Sequence, residues 1–253
     1  MPLELVTIPC LSDNYAFLLH NAQTGETLLV DAPEAAPIQA VLDTQGWTLS
    51  DILLTHHHND HVGGLAPLRR TARVIGAKAD AHRLPALDHA VCDGDDITIC
   101  GETARVFDVS GHTINHIALH FPDSGVVFTG DSLMALGCGR LFEGTAAQMW
   151  HSMQKLRALP DATRVCSGHE YTQTNARFAF TIEPDNAALI SRDTSITALR
   201  NEGHPTVPSA LGLEKQTNPF LRADVAALQT ALGMEGDDPV NVFAHVRKKR
   251  DVF

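Results

Sequence analysis

The heptapeptide THHHNDH, residues 55–61, carries four histidines and one aspartate directly after the apolar run DILL at 51–54. The apolar run predicts a buried strand, so the cluster stands at its C-terminal end, where α/β proteins commonly assemble sites. In an extended chain the side chains alternate, so His56 and His58 are predicted to point to one face and His57 to the other. A solvated polar loop is the alternative interpretation of such a cluster.

The chain is predicted to turn into a helix just after the histidines. Asp60 and His61 fall in this turn, and Gly63 and Gly64 leave room there for a close approach of another backbone segment. Four potential ligands, two before the turn and two within it, are thus predicted to lie around one loop.

Three further strands are predicted to end in a turn of small residues that carries one metal-competent side chain. His112 in SGHT follows the strand ARVFDV, Asp131 in TGDS follows VVF, and His169 in SGHE follows RVC. Imidazole and carboxylate donors suit zinc, iron and manganese alike. The five cysteines form no CxxC pair, which argues against a closed structural zinc site.

The order of the elements predicts an α/β domain followed by a small helical domain. Strands are predicted at LELVTI, YAFLLH, TLLVDA, DILLTH, ARVIGA, DITIC, ARVFDV, HIALHF, VVFTGD and TRVCSG, each bounded by turn residues. Helices are predicted at 34–45, 62–71, 145–158, 171–182, 185–202, 223–232 and 239–250. The third of these helices begins at Thr145 with Gln148 three residues on, which is a capping-box pattern.

Composition excludes several classes of function. The net charge of −11 over 253 residues argues against nucleic acid as a partner, because phosphate binding needs an excess of Lys and Arg. The sequence has no apolar stretch approaching the ~20 residues of a membrane span, and its N-terminus lacks the pattern of a secretory signal. An odd number of cysteines fits reduced thiols. A cytoplasmic monomer without a membrane partner is expected.

The histidine and aspartate pattern resembles the metallo-β-lactamase superfamily, in which THxHxDH is followed by a lone His, a lone Asp and a lone His. The resemblance implies a mixed α/β fold, a four-layer αββα sandwich, that holds two divalent metal ions, with zinc expected first and iron or manganese as alternatives. The implied ligands are His56, His58 and His112 for one ion and Asp60, His61 and His169 for the other. Asp131 would bridge both ions together with a water or hydroxide, which makes Asp60 and Asp131 the expected catalytic residues.

Further stretches resemble type II glyoxalase, the hydroxyacylglutathione hydrolase branch of that superfamily. They are LSDNYAFLL at 11–19, GCGRLFEGTAAQMW at 137–150, GHEYTQTNARFA at 168–179 and VRKKRDVF at 246–253. The resemblance implies a catalytic domain at 1–170 and a helical glutathione-binding domain at 171–253. The implied reaction is hydrolysis of S-D-lactoylglutathione to D-lactate and glutathione, the second step of methylglyoxal detoxification.

The same resemblance implies which residues contact glutathione. They are Arg140, Phe142, Tyr171, Arg247 and Arg250. Arg140 and Phe142 stand where the family pattern CGKxYEG has Lys and Tyr, so the reach of the cation changes and one hydroxyl is lost. A higher KM for the glutathione thioester than in a Lys/Tyr relative is therefore expected. Without the resemblance, basic residues at the end of a helix would be read as complementing its dipole.

Other functions are weaker alternatives. A glutathione persulfide dioxygenase of the same fold uses one iron and would not need Asp60, His61 and His169. The net charge disfavours a nuclease, and the missing signal disfavours a secreted β-lactamase. A non-catalytic metal-binding protein would not explain seven ligands beside a glutathione-like pattern.

Overall fold

The computed structural model describes residues 3–253, so the first two residues of the predicted 1–170 domain, Met1 and Pro2, lie outside the described residues. The strands are β1 (Glu4–Cys10), β2 (Asn14–His20), β3 (Thr27–Val30), β4 (Asp51–Leu53), β5 (Arg73–Ala77), β6 (His89–Val91), β7 (Asp96–Ile99), β8 (Glu102–Asp108), β9 (Ile117–Phe121), β10 (Val126–Gly130), β11 (Leu133–Met134), β12 (Gly137–Cys138), β13 (Arg164–Ser167) and β14 (Ser209–Ala210).

The α-helices are α1 (Ala35–Gln45), α2 (Asn59–Val62), α3 (Leu65–Arg69), α4 (Ala146–Arg157), α5 (Thr172–Phe180), α6 (Ala187–Asn201), α7 (Leu211–Thr217), α8 (Ala226–Leu232) and α9 (Pro239–Asp251). Short 3₁₀ helices lie at Lys78–Asp80 and Pro219–Leu221. The chain forms two compact units. The first comprises the described residues up to Asp108 together with Asn115–Gly130, and the second comprises Val109–Ile114 and Asp131–Phe253.

The first unit contains a six-stranded mixed sheet in the order β1-β2-β3-β4-β5-β6. Strands β1 to β3 pair antiparallel and β3 to β6 pair parallel. Every residue of β2, β3 and β4 is buried, as expected for strands that are covered on both faces. Helices α1 and α3 cover one face, because Ile38 and Leu65 join Leu29 and Ile52 in one apolar cluster.

The same unit contains an antiparallel ladder formed by β7 to β10. In β8, Ala104 and Val106 are buried while Thr103 and Arg105 are exposed, the alternation of a strand with one solvated face. The ring of Phe128 in β10 contacts that of Phe17 in β2, with centroids 5.7 Å apart. The two sheets of this unit therefore share an apolar core.

The second unit is mainly helical, with two short antiparallel strand pairs, β11-β12 and β13-β14. The predicted capping box is confirmed at α4, where the Thr145 hydroxyl accepts from the Gln148 amide and the Gln148 side chain accepts from the Thr145 amide. Trp150 of α4 packs on Phe243 of α9, with ring centroids 6.2 Å apart. These contacts fix α9, which carries the basic segment of the sequence, against α4.

Most of the predicted strands and helices are confirmed, but the prediction of one helix is wrong. The predicted helix at 62–71 is instead split into α2 and α3, with Gly63 and Gly64 between them. A Cβ at Gly64 would lie 2.7 Å from the Ala35 amide nitrogen, so the backbones approach as closely as expected. Helix α7 was missed because it lies in a Pro-rich segment that reads as a connection. Each helix of residues 3–253 is too short or too polar to cross a membrane.

Candidate metal centre

The histidine loop, residues 54–61, begins where β4 ends at Leu53. The predicted alternation of its side chains is confirmed. His56 Nε2 and His58 Nδ1 lie 3.1 Å apart, whereas the His57 ring turns to the buried carboxylate of Asp80, also at 3.1 Å. Two ligands held ~2.1 Å from one tetrahedral ion are separated by about 3.4 Å. The spacing of His56 and His58 therefore suits a shared ion, and His57 supports the loop from behind.

Asp31 organises the loop and was missed by the sequence analysis. It is buried just after β3, in a left-handed conformation at φ 56°, and its carboxylate accepts three hydrogen bonds. The Thr55 amide and hydroxyl each donate to it at 2.8 Å, and His61 Nδ1 donates at 2.8 Å. Because Nδ1 must carry the proton to donate to a carboxylate, Nε2 keeps the lone pair that a metal requires.

Asp60 is oriented by Asn14, at the start of β2. The Asn14 side-chain amide donates to the Asp60 carbonyl at 3.0 Å and to its Oδ2 at 3.1 Å. The same Oδ2 lies 3.8 Å from His61 Nε2, so both donor atoms face the same space. Asn14 belongs to the stretch LSDNYAFLL, whose resemblance to the family was the only signal that could have pointed to it.

His116 packs against the histidine loop. Its ring stacks on that of His56, with centroids 4.5 Å apart and planes inclined by 20°. A Cβ at Gly130 would lie 2.6 Å from Thr55 Oγ1 and 2.8 Å from the His116 ring, so only glycine fits beneath this stack. His116 is fully buried, and its ring helps to hold the His56 ring in place.

The second unit brings His112, Asp131 and His169 together, as their places after three strands predict. The Nε2 atoms of His112 and His169 lie 3.4 and 3.2 Å from the same oxygen, Asp131 Oδ2. His112 Nδ1 donates to the Arg140 carbonyl oxygen at 2.8 Å, which leaves Nε2 with the lone pair that a metal requires. All three residues are at most 5% exposed.

Gly139 makes this arrangement possible. A Cβ at this position would overlap the Asp131 carbonyl oxygen and would lie 2.8 Å from His112 Nδ1. The segment after β12 can therefore approach the two ligands closely enough for Arg140 to hold His112. A side chain larger than hydrogen would push the segment away.

The donor set fits divalent metal ions. Metal-competent side chains lie in both units: His56, His58, Asp60 and His61 in the first, and His112, Asp131 and His169 in the second. Imidazole nitrogens and carboxylate oxygens are the donors of binuclear zinc, iron and manganese sites. This cluster of His and Asp side chains supports a binuclear divalent metal site.

Three arginines gather around Asp251 in the second unit. Arg247 donates to Asp251 Oδ1 at 2.9 Å and to the Cys138 carbonyl at 2.9 Å, and Arg140 Nε lies 3.6 Å from the same carboxylate oxygen. Arg247 is almost fully buried, whereas the Arg140 side chain is 59% exposed. Burial lowers the pKa of Arg250, and Arg247 and Arg140 lower it further. The cluster therefore carries more positive charge than its one carboxylate neutralises.

Aromatic residues flank the ligands of the second unit. Tyr171 stacks on His169, with ring centroids 4.7 Å apart, and Phe142 meets His112 edge to face at 5.3 Å. Phe142 is 61% exposed and Tyr171 37%, so both rings offer surface to a bound molecule. Arg140 extends over the Phe142 ring at 6.0 Å.

Family models cover nearly the whole chain. The hydroxyacylglutathione hydrolase C-terminus model matches residues 170–253, and the metallo-beta-lactamase superfamily model matches residues 12–169. The hydroxyacylglutathione hydrolase of Ruegeria pomeroyi is 63% identical over 255 residues and that of Cereibacter sphaeroides 61%, each comparison covering the whole of both chains. That of Jannaschia sp. is 61% identical over 99% of this chain.

Solved structures share the fold. ETHE1 from Myxococcus xanthus superposes with a TM-score of 0.68 over 98% of this chain and 90% of that one, at 23% identity. The BLEG-1 B3 metallo-beta-lactamase gives 0.66 over 86% of this chain and 99% of that one, also at 23% identity. The fold is thus that of the metallo-β-lactamases, with a helical C-terminal part. From the family models and the full-length relatives, the chain belongs to the hydroxyacylglutathione hydrolases of the metallo-β-lactamase superfamily.

Proposed function

We propose that this protein hydrolyses S-2-hydroxyacylglutathione thioesters, converting S-D-lactoylglutathione to D-lactate and glutathione as the second step of methylglyoxal detoxification. The observation that carries the proposal is the His and Asp cluster in a chain whose full length matches relatives named hydroxyacylglutathione hydrolase. Those names favour the hydrolase over a glutathione persulfide dioxygenase, which shares the fold.

In the proposed centre, His56, His58 and His112 would hold one divalent ion, and Asp60, His61 and His169 would hold the other. Asp131 would be shared by both, and its Oδ2 lies within 3.4 Å of one histidine nitrogen from each set, which supports that role. Such ions, most simply zinc, would supply a water of lowered pKa and a Lewis acid for the thioester carbonyl. Asp31, Asn14 and the Arg140 carbonyl keep the ligands in their binding tautomers and orientations.

The leaving group needs little help from the protein. A thiol has a pKa of about 8.5, so the glutathione thiolate departs without the strong general acid that an amine would need. The chain must instead hold the peptide part of the substrate. Arg140, Arg247 and Arg250 form the positive cluster proposed to receive its carboxylate, while the exposed rings of Phe142 and Tyr171 contact the remainder.

The catalytic and the glutathione-binding residues are proposed to lie mainly in different domains. We propose that residues 1–170 form the catalytic domain and that residues 171–253 form a helical domain that supplies most of the glutathione-binding residues. The family models that match residues 12–169 and 170–253 support this proposal. We further propose that the protein acts as a cytoplasmic monomer.

The test is thiol release from S-D-lactoylglutathione by zinc-loaded protein, compared with Asp60→Ala. The variant is expected to lose thiol release and to bind one ion per chain instead of two, because it lacks a ligand of one ion. Asp43→Ala, at an exposed aspartate of α1, is the control and should behave like the wild type. A wild type that carries two ions and releases no thiol would refute the proposal, and oxygen consumption with glutathione persulfide would then be measured.

A further inference from the structure

Helix α9 lies along a row of aromatic rings in the second unit. Ring centroids of consecutive members are 5.6–6.2 Å apart in the order Trp150, Phe243, Phe220, Phe178 and Phe253. Phe253 ends the row and is 56% exposed, whereas Phe178 is fully buried. The row thus leads from the core of the unit to its surface.

The two arginines of α9 each rest on this row. The Arg247 guanidinium lies 5.0 Å from the centre of the Phe220 ring. The Arg250 guanidinium lies 5.9 Å from the Phe178 ring and 5.8 Å from the Phe253 ring. The centroids of the Phe178 and Phe253 rings are 5.6 Å apart. Arg250 therefore occupies the notch between the buried ring of Phe178 and the exposed ring of Phe253.

Asn175 fixes the rotation of Arg250 within that notch. Arg250 Nε and Nη2 both donate to Asn175 Oδ1, at 3.3 and 3.2 Å. The Asn175 amide in turn donates to the Ala135 carbonyl at 3.0 Å, so the acceptor is itself held. One edge of the guanidinium is engaged in this way, and its other edge is formed by Nη1 and Nη2. That edge has the fork geometry that receives a carboxylate.

The charges around Arg250 favour an anion. Asp251 pairs with Arg247 and approaches Arg140, and within the described part of the chain no carboxylate forms an ion pair with Arg250. Three guanidinium groups and one carboxylate therefore leave a local excess of positive charge.

We propose that Phe253 is a positioning residue for the carboxylate of glutathione, acting through Arg250. The inference rests on the proposed function, in which Arg250 receives that carboxylate. An unrestrained arginine side chain loses rotational freedom when it binds, so a clamp that orders it beforehand improves binding. Phe178 and Asn175 form the buried sides of the clamp, and Phe253 forms its exposed side.

The clamp suits an arginine better than a lysine. A planar guanidinium lies against an aromatic ring and forks to one acceptor at the same time, which a lysine ammonium cannot do. The ring of Phe253 and the guanidinium of Arg250 thus form one recognition unit in this chain.

The first measurement compares Phe253→Leu, which keeps an apolar side chain and removes the ring, with Phe253→Tyr, which keeps the ring. Phe253→Leu is expected to raise KM for S-D-lactoylglutathione by about two- to fivefold, the range that a partly exposed cation–π contact provides, with kcat unchanged. Phe253→Tyr should restore the wild-type KM. Val252→Ala, at a neighbouring residue that is 85% exposed, is the matched control. Equal Tm values show that the variants are folded.

The second measurement repeats the change in an Arg250→Ala background. Arg250→Ala alone is expected to raise KM, and adding Phe253→Leu should then raise it no further. An equal effect of Phe253→Leu in both backgrounds would overturn the inference, because Phe253 would then act independently of Arg250. A raised KM in Arg250→Ala without an effect of Phe253→Leu would also overturn it, but would leave the proposed carboxylate contact standing. An Arg250→Ala variant with wild-type KM would overturn that contact and the inference together.

Discussion

Replacing Asp31 by asparagine is the sharpest test of how the protein prepares its metal ligands. The carboxylate of Asp31 accepts from the Thr55 amide at one oxygen and from the Thr55 hydroxyl and His61 Nδ1 at the other. In Asp31→Asn, one of these oxygens becomes an NH₂ group of nearly the same size. The packing is kept while an acceptor is replaced by a donor.

Either orientation of the new amide harms the site. If the NH₂ faces His61, then Nδ1 must give up its proton and Nε2 must take one, which blocks the nitrogen that would bind the metal. If the amide turns over, its NH₂ group opposes the N–H of Thr55. The loss is that of one hydrogen bond to a charged group, about 1.5–3 kcal/mol, which corresponds to about 10- to 150-fold in affinity. Loss of a ligand-orienting group in metal sites costs a similar 10- to 100-fold.

The assay is a competition titration of zinc against a chelator of known affinity, with metal content measured after dialysis. Asp31→Asn is expected to bind one of its two ions about 10- to 100-fold more weakly while it keeps the other. Asp51→Asn is the matched control, because Asp51 is also buried but pairs with Arg73 at the opposite end of β4. An Asp31→Asn variant with unchanged zinc affinity would refute the argument that Asp31 sets the tautomer of His61.

Two further predictions concern the glutathione contacts and the thiols. Phe142→Tyr restores a hydroxyl at an exposed ring beside His112, and one neutral hydrogen bond is expected to lower KM about two- to tenfold at constant kcat; an unchanged KM would show that the hydroxyl has no role. Iodoacetamide at pH 8 is expected to modify the exposed Cys92 and to spare Cys138, because burial raises the pKa of Cys138 to about 11. Peptide mass spectrometry measures both sites, and rapid alkylation of Cys138 in folded protein would contradict its burial.

The sequence was most informative about the site where a residue that can bind metal directly follows a predicted strand. The His56, His58, Asp60 and His61 cluster follows an apolar strand, and strand ends meet at one edge of a sheet, so their convergence could be predicted. His57 was correctly assigned to the opposite face, because alternation of side chains depends on the extended backbone alone. Capping and helix periodicity are local as well, which is why α4 begins where its capping box predicts.

The sequence could not identify the side chains that orient the candidate metal ligands from positions remote along the chain. Asp31 lies 30 residues before His61 and belongs to no motif, and Asn14 lies 46 residues before Asp60 in a stretch that only the family resemblance singles out. The division of the predicted helix at 62–71 arises from contact with the segment at 32–35, which is also remote in sequence.

The sequence by itself therefore determined which residues could bind metal and in which order they follow the strands. The tertiary structure decided which ring nitrogen of His61 and of His112 keeps the lone pair that a metal requires, and it put Arg250 in the notch between Phe178 and Phe253. The physical reason is that the donor type and the local backbone conformation depend on a residue and its neighbours in sequence. Tautomers and side-chain orientations depend instead on hydrogen bonds and packing between segments that only folding brings together.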